Sequence, residues 1–86
     1  MKIIYFKAEW CAPCRTTLPI VEKVSTMVED VNVDIINVDE NQELTKEYGV
    51  RSIPAMFFLD DDGNRLGNHI GGITESNLLK KINELK

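Results

Sequence analysis

Both cysteines of the chain, Cys11 and Cys14, stand with two residues between them, directly behind the apolar run Ile3-Ile4-Tyr5-Phe6. Their position constrains the fold more than any other feature, because it puts a strand-to-helix seam near the start of the chain. The run has no polar alternation, the pattern of a strand buried on both faces, and a strand is expected from Lys2 to Phe6. Pro13 suits the first turn of a helix, where its missing N–H would lack a partner anyway. Leu18, Val21, Val24 and Val28 recur at helical spacing, so a helix is expected from Cys11 to Glu29. Pro19 removes one backbone bond inside it and crowds the preceding turn, which predicts a kink without a break.

Downstream, Val31 to Val38 is rich in β-branched residues and reads as a second strand. Asp39-Glu40-Asn41 supplies turn and cap candidates for a short helix from Glu43 to Tyr48, closed by Gly49 where a left-handed residue is favoured. Ala55 to Leu59 is a third, wholly apolar strand. Asp61-Asp62-Gly63-Asn64 signals a hairpin into Arg65 to Ile70, an antiparallel partner and an edge candidate. After Gly71-Gly72, Thr74 can cap a last helix with Leu78, Leu79, Ile82 and Leu85 on one face and lysines weighted toward its end. The order is βαβαββα, and nothing resembling a linker or repeat divides residues 1–86, so one domain is expected.

Charge excludes some partners. The 10 basic and 14 acidic side chains leave a net charge of −4 without a long block of either sign, which argues against nucleic-acid binding or a membrane anchor. No apolar run approaches the roughly 20 residues needed to span a bilayer, and no leader pattern precedes the first strand. A soluble, cytoplasmic monomer is expected.

Cysteines three apart on a helix have Cβ atoms about 5–6 Å apart, close enough for a disulfide to open and close without refolding. Cys11 would also sit at the helix N-terminus, where unpaired N–H groups and the helix dipole favour a thiolate and lower its pKa from about 8.5. Cys11 is therefore the expected nucleophile. Cys14, one turn in and facing the protein, is placed to attack a mixed disulfide between Cys11 and a substrate. Other uses of the pair fit less well. A staple across so short a loop contributes only about 2 kcal/mol. A zinc site lacks a second cysteine pair, and the only histidine, His69, falls on the edge strand without a partner spaced for tetrahedral ligation.

Phe6-Lys7-Ala8-Glu9-Trp10-Cys11-Ala12-Pro13-Cys14 resembles the active-site segment of the thioredoxin family, and Pro19 falls where that family kinks its helix. The resemblance continues through Asn37-Val38-Asp39, through Tyr48-Gly49-Val50-Arg51-Ser52-Ile53-Pro54, and at Gly71 before the last helix. It implies a minimal α/β fold of the thioredoxin type, a four-stranded mixed sheet flanked by helices, with a cis bond between Ile53 and Pro54 beside the sulfurs. It implies a docking surface of Trp10, Ala12, Pro13, Ile53, Pro54 and Gly71 around the catalytic pair Cys11 and Cys14. The implied partners are proteins containing disulfides and a flavin-dependent thioredoxin reductase. No cofactor is implied for the chain itself.

Three departures accompany the resemblance. The family usually carries a strand and a helix before the strand that leads to the cysteines, whereas here that strand begins at Lys2. Where the family buries an aspartate opposite a lysine, this chain has Tyr5 and Ile35. Losing both charges together is coherent, since a lone buried charge is costly, and it leaves Tyr5 as a weak candidate base for Cys14. Ala12 stands in place of a common glycine. A glutaredoxin-like reading draws on the short length, but Trp10 precedes Cys11 and no acidic residue directly follows Gly71-Gly72. A docking module without redox activity is a further alternative that intact cysteines disfavour. Ala12-Pro13 lacks a histidine before Cys14, which favours a reductant over an oxidase or isomerase.

Overall fold

In a computed structural model that describes residues 1–86, the apolar runs form the innermost strands. The elements are β1 (Lys2–Lys7), α1 (Ala12–Met27), β2 (Asn32–Asn37), α2 (Gln42–Glu47), β3 (Ala55–Leu59), β4 (Arg65–Ile70) and α3 (Glu75–Leu85). The sheet order is β2-β1-β3-β4, with β1 parallel to β2 and antiparallel to β3, and β4 antiparallel to β3. β1 and β3 lack polar alternation because helices cover both faces. On one face Ile3, Tyr5, Met56 and Phe58 pack with Val21 and Val24 of α1 and with Leu78 and Ile82 of α3. On the other, Ile4, Phe6 and Phe57 pack with Leu44 and Tyr48, the rings of Phe6, Tyr48 and Phe57 meeting at 5.0–5.7 Å. This is the four-stranded mixed α/β architecture expected from the sequence.

The inward stripe of α1 is Cys14, Thr17, Val21 and Val24, at intervals of three and four residues. The helix continues unbroken through Pro19, whose side chain is exposed. α2 closes as Gly49 suggested. Gly49 has φ +71°, and the Gly49 and Val50 amides donate to the Lys46 and Thr45 carbonyls, the doubled bond pattern of a Schellman cap. Thr74 caps α3 by accepting from the Asn77 amide at 3.2 Å.

Several local expectations are corrected. Asn41 is the N-cap of α2 but makes no capping bond; its side-chain amide donates to the Asn37 carbonyl at 3.0 Å. The hairpin loop runs from Asp60 to Asn64, organised by the Asp60 carboxylate accepting from the Asp62 and Asn64 amides at 2.9 Å each. The last turn of α3 carries no basic residue, because Lys80 and Lys81 lie mid-helix. β2 is an edge strand as well as β4. Ile35 pairs with Tyr5 in register yet is 41% exposed, so its position is not a buried one.

Candidate active site

The seam between β1 and α1 holds the cysteines, where chain direction and helix geometry act together. Cys11 is the N-cap of α1, extended at φ −94° and ψ 103°, and its Sγ accepts the Cys14 amide at 3.2 Å. A disulfide joins the two residues across a Cα separation of 5.2 Å, inside the roughly 4.4–6.8 Å that bridges span. Cys14 is 1% exposed and Cys11 only 5%, because Ala8, Val38 and Ile53 close around them. Both cysteines are therefore nearly enclosed, Cys11 only slightly less than Cys14.

Three loops form a rim beside the pair. Trp10 is 67% exposed, and its indole Nε1–H donates to Asp39 at 3.0 Å, tying the loop before Cys11 to the end of β2. The Arg15 guanidinium donates to the Glu9 carbonyl. The Lys7 ammonium, through a hydrogen bond and its charge, holds the Glu9 carboxyl below its usual range. Ala12 and Pro13 are exposed at the head of α1. The Ile53–Pro54 bond is cis. Pro54 is buried, so its side chain presents no docking surface of its own. Its carbonyl accepts the Gly71 amide at 2.7 Å, and Gly71, at φ +96°, turns the chain there in a conformation that favours glycine.

Each residue singled out from the sequence thus lies in or beside one region. Three others belong to it that sequence reasoning did not pick. Ile70, the last residue of β4, is 49% exposed next to Gly71; an apolar residue closing an edge strand was the available signal. Asp39 was noted as a strand end and as a turn or cap candidate, and its bond to Trp10 left no local trace. Thr17 is a buried polar residue on the α1 stripe, three after Cys14.

Beneath the pair, Tyr5 is fully buried and its phenol donates to the Cys14 carbonyl at 2.8 Å. Burial pushes the phenol up to about 12, partly offset by the polar side chain of neighbouring Thr17. Such a group does not act as a base at neutral pH. A groove of about 980 Å³ opens beside Ala12 and Pro13, between α1 and α3, with Ile20, Ile73 and Lys80 along it. No cluster of three or more His, Cys, Asp or Glu side chains is arranged to hold a metal.

A cysteine pair that can close across one helical turn, capped on a mixed sheet beside a cis-proline, defines a thiol–disulfide exchange site. The family model described as Thioredoxin matches residues 1–84. The chain is 41% identical over 83 residues to thioredoxin of Rickettsia typhi, covering 95% of this chain and 78% of that protein. Among solved structures it is similar to thioredoxin 1 of Thermosipho africanus, with TM-score 0.86, 25% identity and coverage of 98% and 92% of the two chains. It is also similar to a point mutant of thioredoxin from Halobacterium salinarum, with TM-score 0.90, 34% identity and coverage of 98% and 73%. The chain belongs to the thioredoxin family. With both cysteines in place it is a thiol–disulfide oxidoreductase of the protein-disulfide reductase kind, and the family implies disulfide substrates and a thioredoxin reductase as the kind of partner. No helix is long and apolar enough to cross a membrane.

Proposed function

We propose that Cys11 is the attacking thiol and Cys14 the resolving one in the reduction of protein disulfides. The observation that carries this reading is the cap of α1: the Cys11 sulfur receives the Cys14 amide, a contact that favours a thiolate, while Cys14 lies behind it at 1% exposure. A substrate disulfide is attacked by the Cys11 thiolate, its first sulfur leaves, and a mixed disulfide forms. Cys14 then attacks the Cys11 sulfur, the second substrate sulfur leaves, and the protein ends oxidised.

Trp10, Ala12, Pro13, Ile53 and Gly71, with Ile70 added, form the surface on which the target protein docks. Their support is apolar exposure beside the nearly enclosed cysteine pair. The backbone of Ile53, presented by the cis bond to Pro54, pairs with an extended substrate segment. The oxidised protein is returned to the dithiol by a flavin-dependent thioredoxin reductase, the chain works as a monomer, and a reducing cytoplasm is its place of action.

Reduction of insulin by dithiothreitol tests the roles. Wild type accelerates it, Cys11→Ser abolishes the acceleration, and Cys14→Ser accumulates a mixed disulfide with the substrate. Acceleration that survives in Cys11→Ser would defeat the assignment. Equilibration of the pair with glutathione tests the direction: a reductant lies at a clearly lower potential, and one near or above the glutathione poise would make the protein an oxidant.

A further inference from the structure

The phenol of Tyr5 makes one buried hydrogen bond, its O–H donating to the Cys14 carbonyl at 2.8 Å. That bond joins the middle of β1 to the turn of α1 that carries Cys14. In the oxidised state the disulfide also holds that turn; after reduction the Cys14 side chain loses its covalent tether to Cys11, while the phenol bond has no reason to break. Its proton is committed to a carbonyl oxygen, and Tyr5 is fully buried.

The other charged or titratable groups around the pair are engaged elsewhere. On β1, Lys7 pairs with Glu9. On α1, Arg15 donates to the Glu9 carbonyl. After β2, Asp39 accepts from Trp10, and on β4, His69 Nε2 lies 3.0 Å from the Gly72 carbonyl. None of them hydrogen-bonds Cys14.

We propose that Tyr5 is a positioning residue for the resolving step: it holds the Cys14 main chain within reach of Cys11 and keeps its own proton throughout. The proposal rests on Cys14 being the resolving thiol. In that step the Cys14 S–H bond breaks and its proton passes to water. The sulfur then bonds to Cys11 as the bond from Cys11 to the substrate sulfur breaks, and the substrate leaves as a thiolate that takes a proton from water. Over the cycle two electrons pass from the dithiol to the substrate disulfide.

The two steps separate in stopped-flow with a symmetric chromogenic aryl disulfide, which releases one chromophore when Cys11 attacks and a second when Cys14 resolves. In Tyr5→Phe the first release keeps its rate, and the second slows about fivefold, the equivalent of one buried hydrogen bond. The slowing is equal at every pH, so the apparent pKa of the second phase stays where it is in wild type. Replacing Tyr5 by 3-fluorotyrosine, which keeps the donor and makes the phenol more acidic, leaves the second phase near the wild-type rate with its apparent pKa unmoved, a comparison that stands even if Tyr5→Phe folds poorly. A displaced apparent pKa in Tyr5→Phe would make the phenol a proton carrier and overturn the proposal. So would equal slowing of both phases, or of neither. Cys14→Ser is the separate control: a second release at the wild-type rate in that variant would remove Cys14 from the resolving role, whatever Tyr5 does.

Discussion

At the scale of single residues, burial and one hydrogen bond decide what Tyr5 can do. Its folded-state value near 12 lies above the ordinary 10.0, so the folded protein holds this proton longer than the unfolded chain. The resulting stabilisation is complete below the unfolded value and is lost as pH rises through the folded one, with an upper bound of about 3 kcal/mol. Urea midpoints of wild type and Tyr5→Phe, measured from neutral pH into the strongly alkaline range, should therefore converge or cross as pH rises. A constant difference between the two would contradict it. The residue types at the site were legible: cysteine spacing, a helix N-terminus and prolines are local facts. The destination of the Tyr5 hydroxyl was not, because a strand residue and a helix turn nine positions later meet only after the crossover is packed.

Among the elements, periodicity was the dependable signal and termini the weak one. α1 shows why: Cys14, Thr17, Val21 and Val24 form the buried stripe, and the sequence pattern differed from it by taking Leu18, which is only half-buried, for a core position. The start of α2 was read to within one residue, and only its cap differs, because the Asn41 side chain bonds the end of β2 and not the helix. Gly49, in contrast, was read correctly, since a positive φ favours glycine. Gly49→Ala has open space for its methyl but the wrong backbone, and should cost about 1 kcal/mol in chemical denaturation with little effect on exchange activity. On α3, Leu78 and Ile82 are fully buried against the sheet face that also carries Tyr5. Leu78→Ala is expected to cost about 2–5 kcal/mol by urea unfolding, through lost transfer energy and the cavity left behind.

For the molecule as a whole, the sheet has two faces covered and two edges open. β4 was foreseen as an edge, but β2 was given no place in the sheet: Val33, Ile35 and Ile36 are β-branched enough for any strand, and only the order of strands puts β2 at an edge and leaves Ile35 exposed. Strand order is a property of the assembled sheet that composition does not encode. The Cys11–Cys14 bridge crosses so little chain that it constrains the unfolded state weakly. The oxidised protein should accordingly exceed the reduced one by only about 2 kcal/mol in denaturant, both unfolding in a single transition. A much larger gap would mean that the reduced fold reorganises beyond the first turn of α1.

By itself the sequence determined the order βαβαββα, the apolar character of the two inner strands, and a cysteine pair at the mouth of a helix. Those follow from spacing along the chain, where periodicity and backbone preference act over a few residues. Tertiary structure alone decided how deeply Cys11 is enclosed, that Trp10 is tied to Asp39, that Ile70 joins the rim, and that Tyr5 ends on the Cys14 carbonyl. Each of these depends on which distant segments share a sheet neighbour or a helix face, and that is settled by packing the whole core at once.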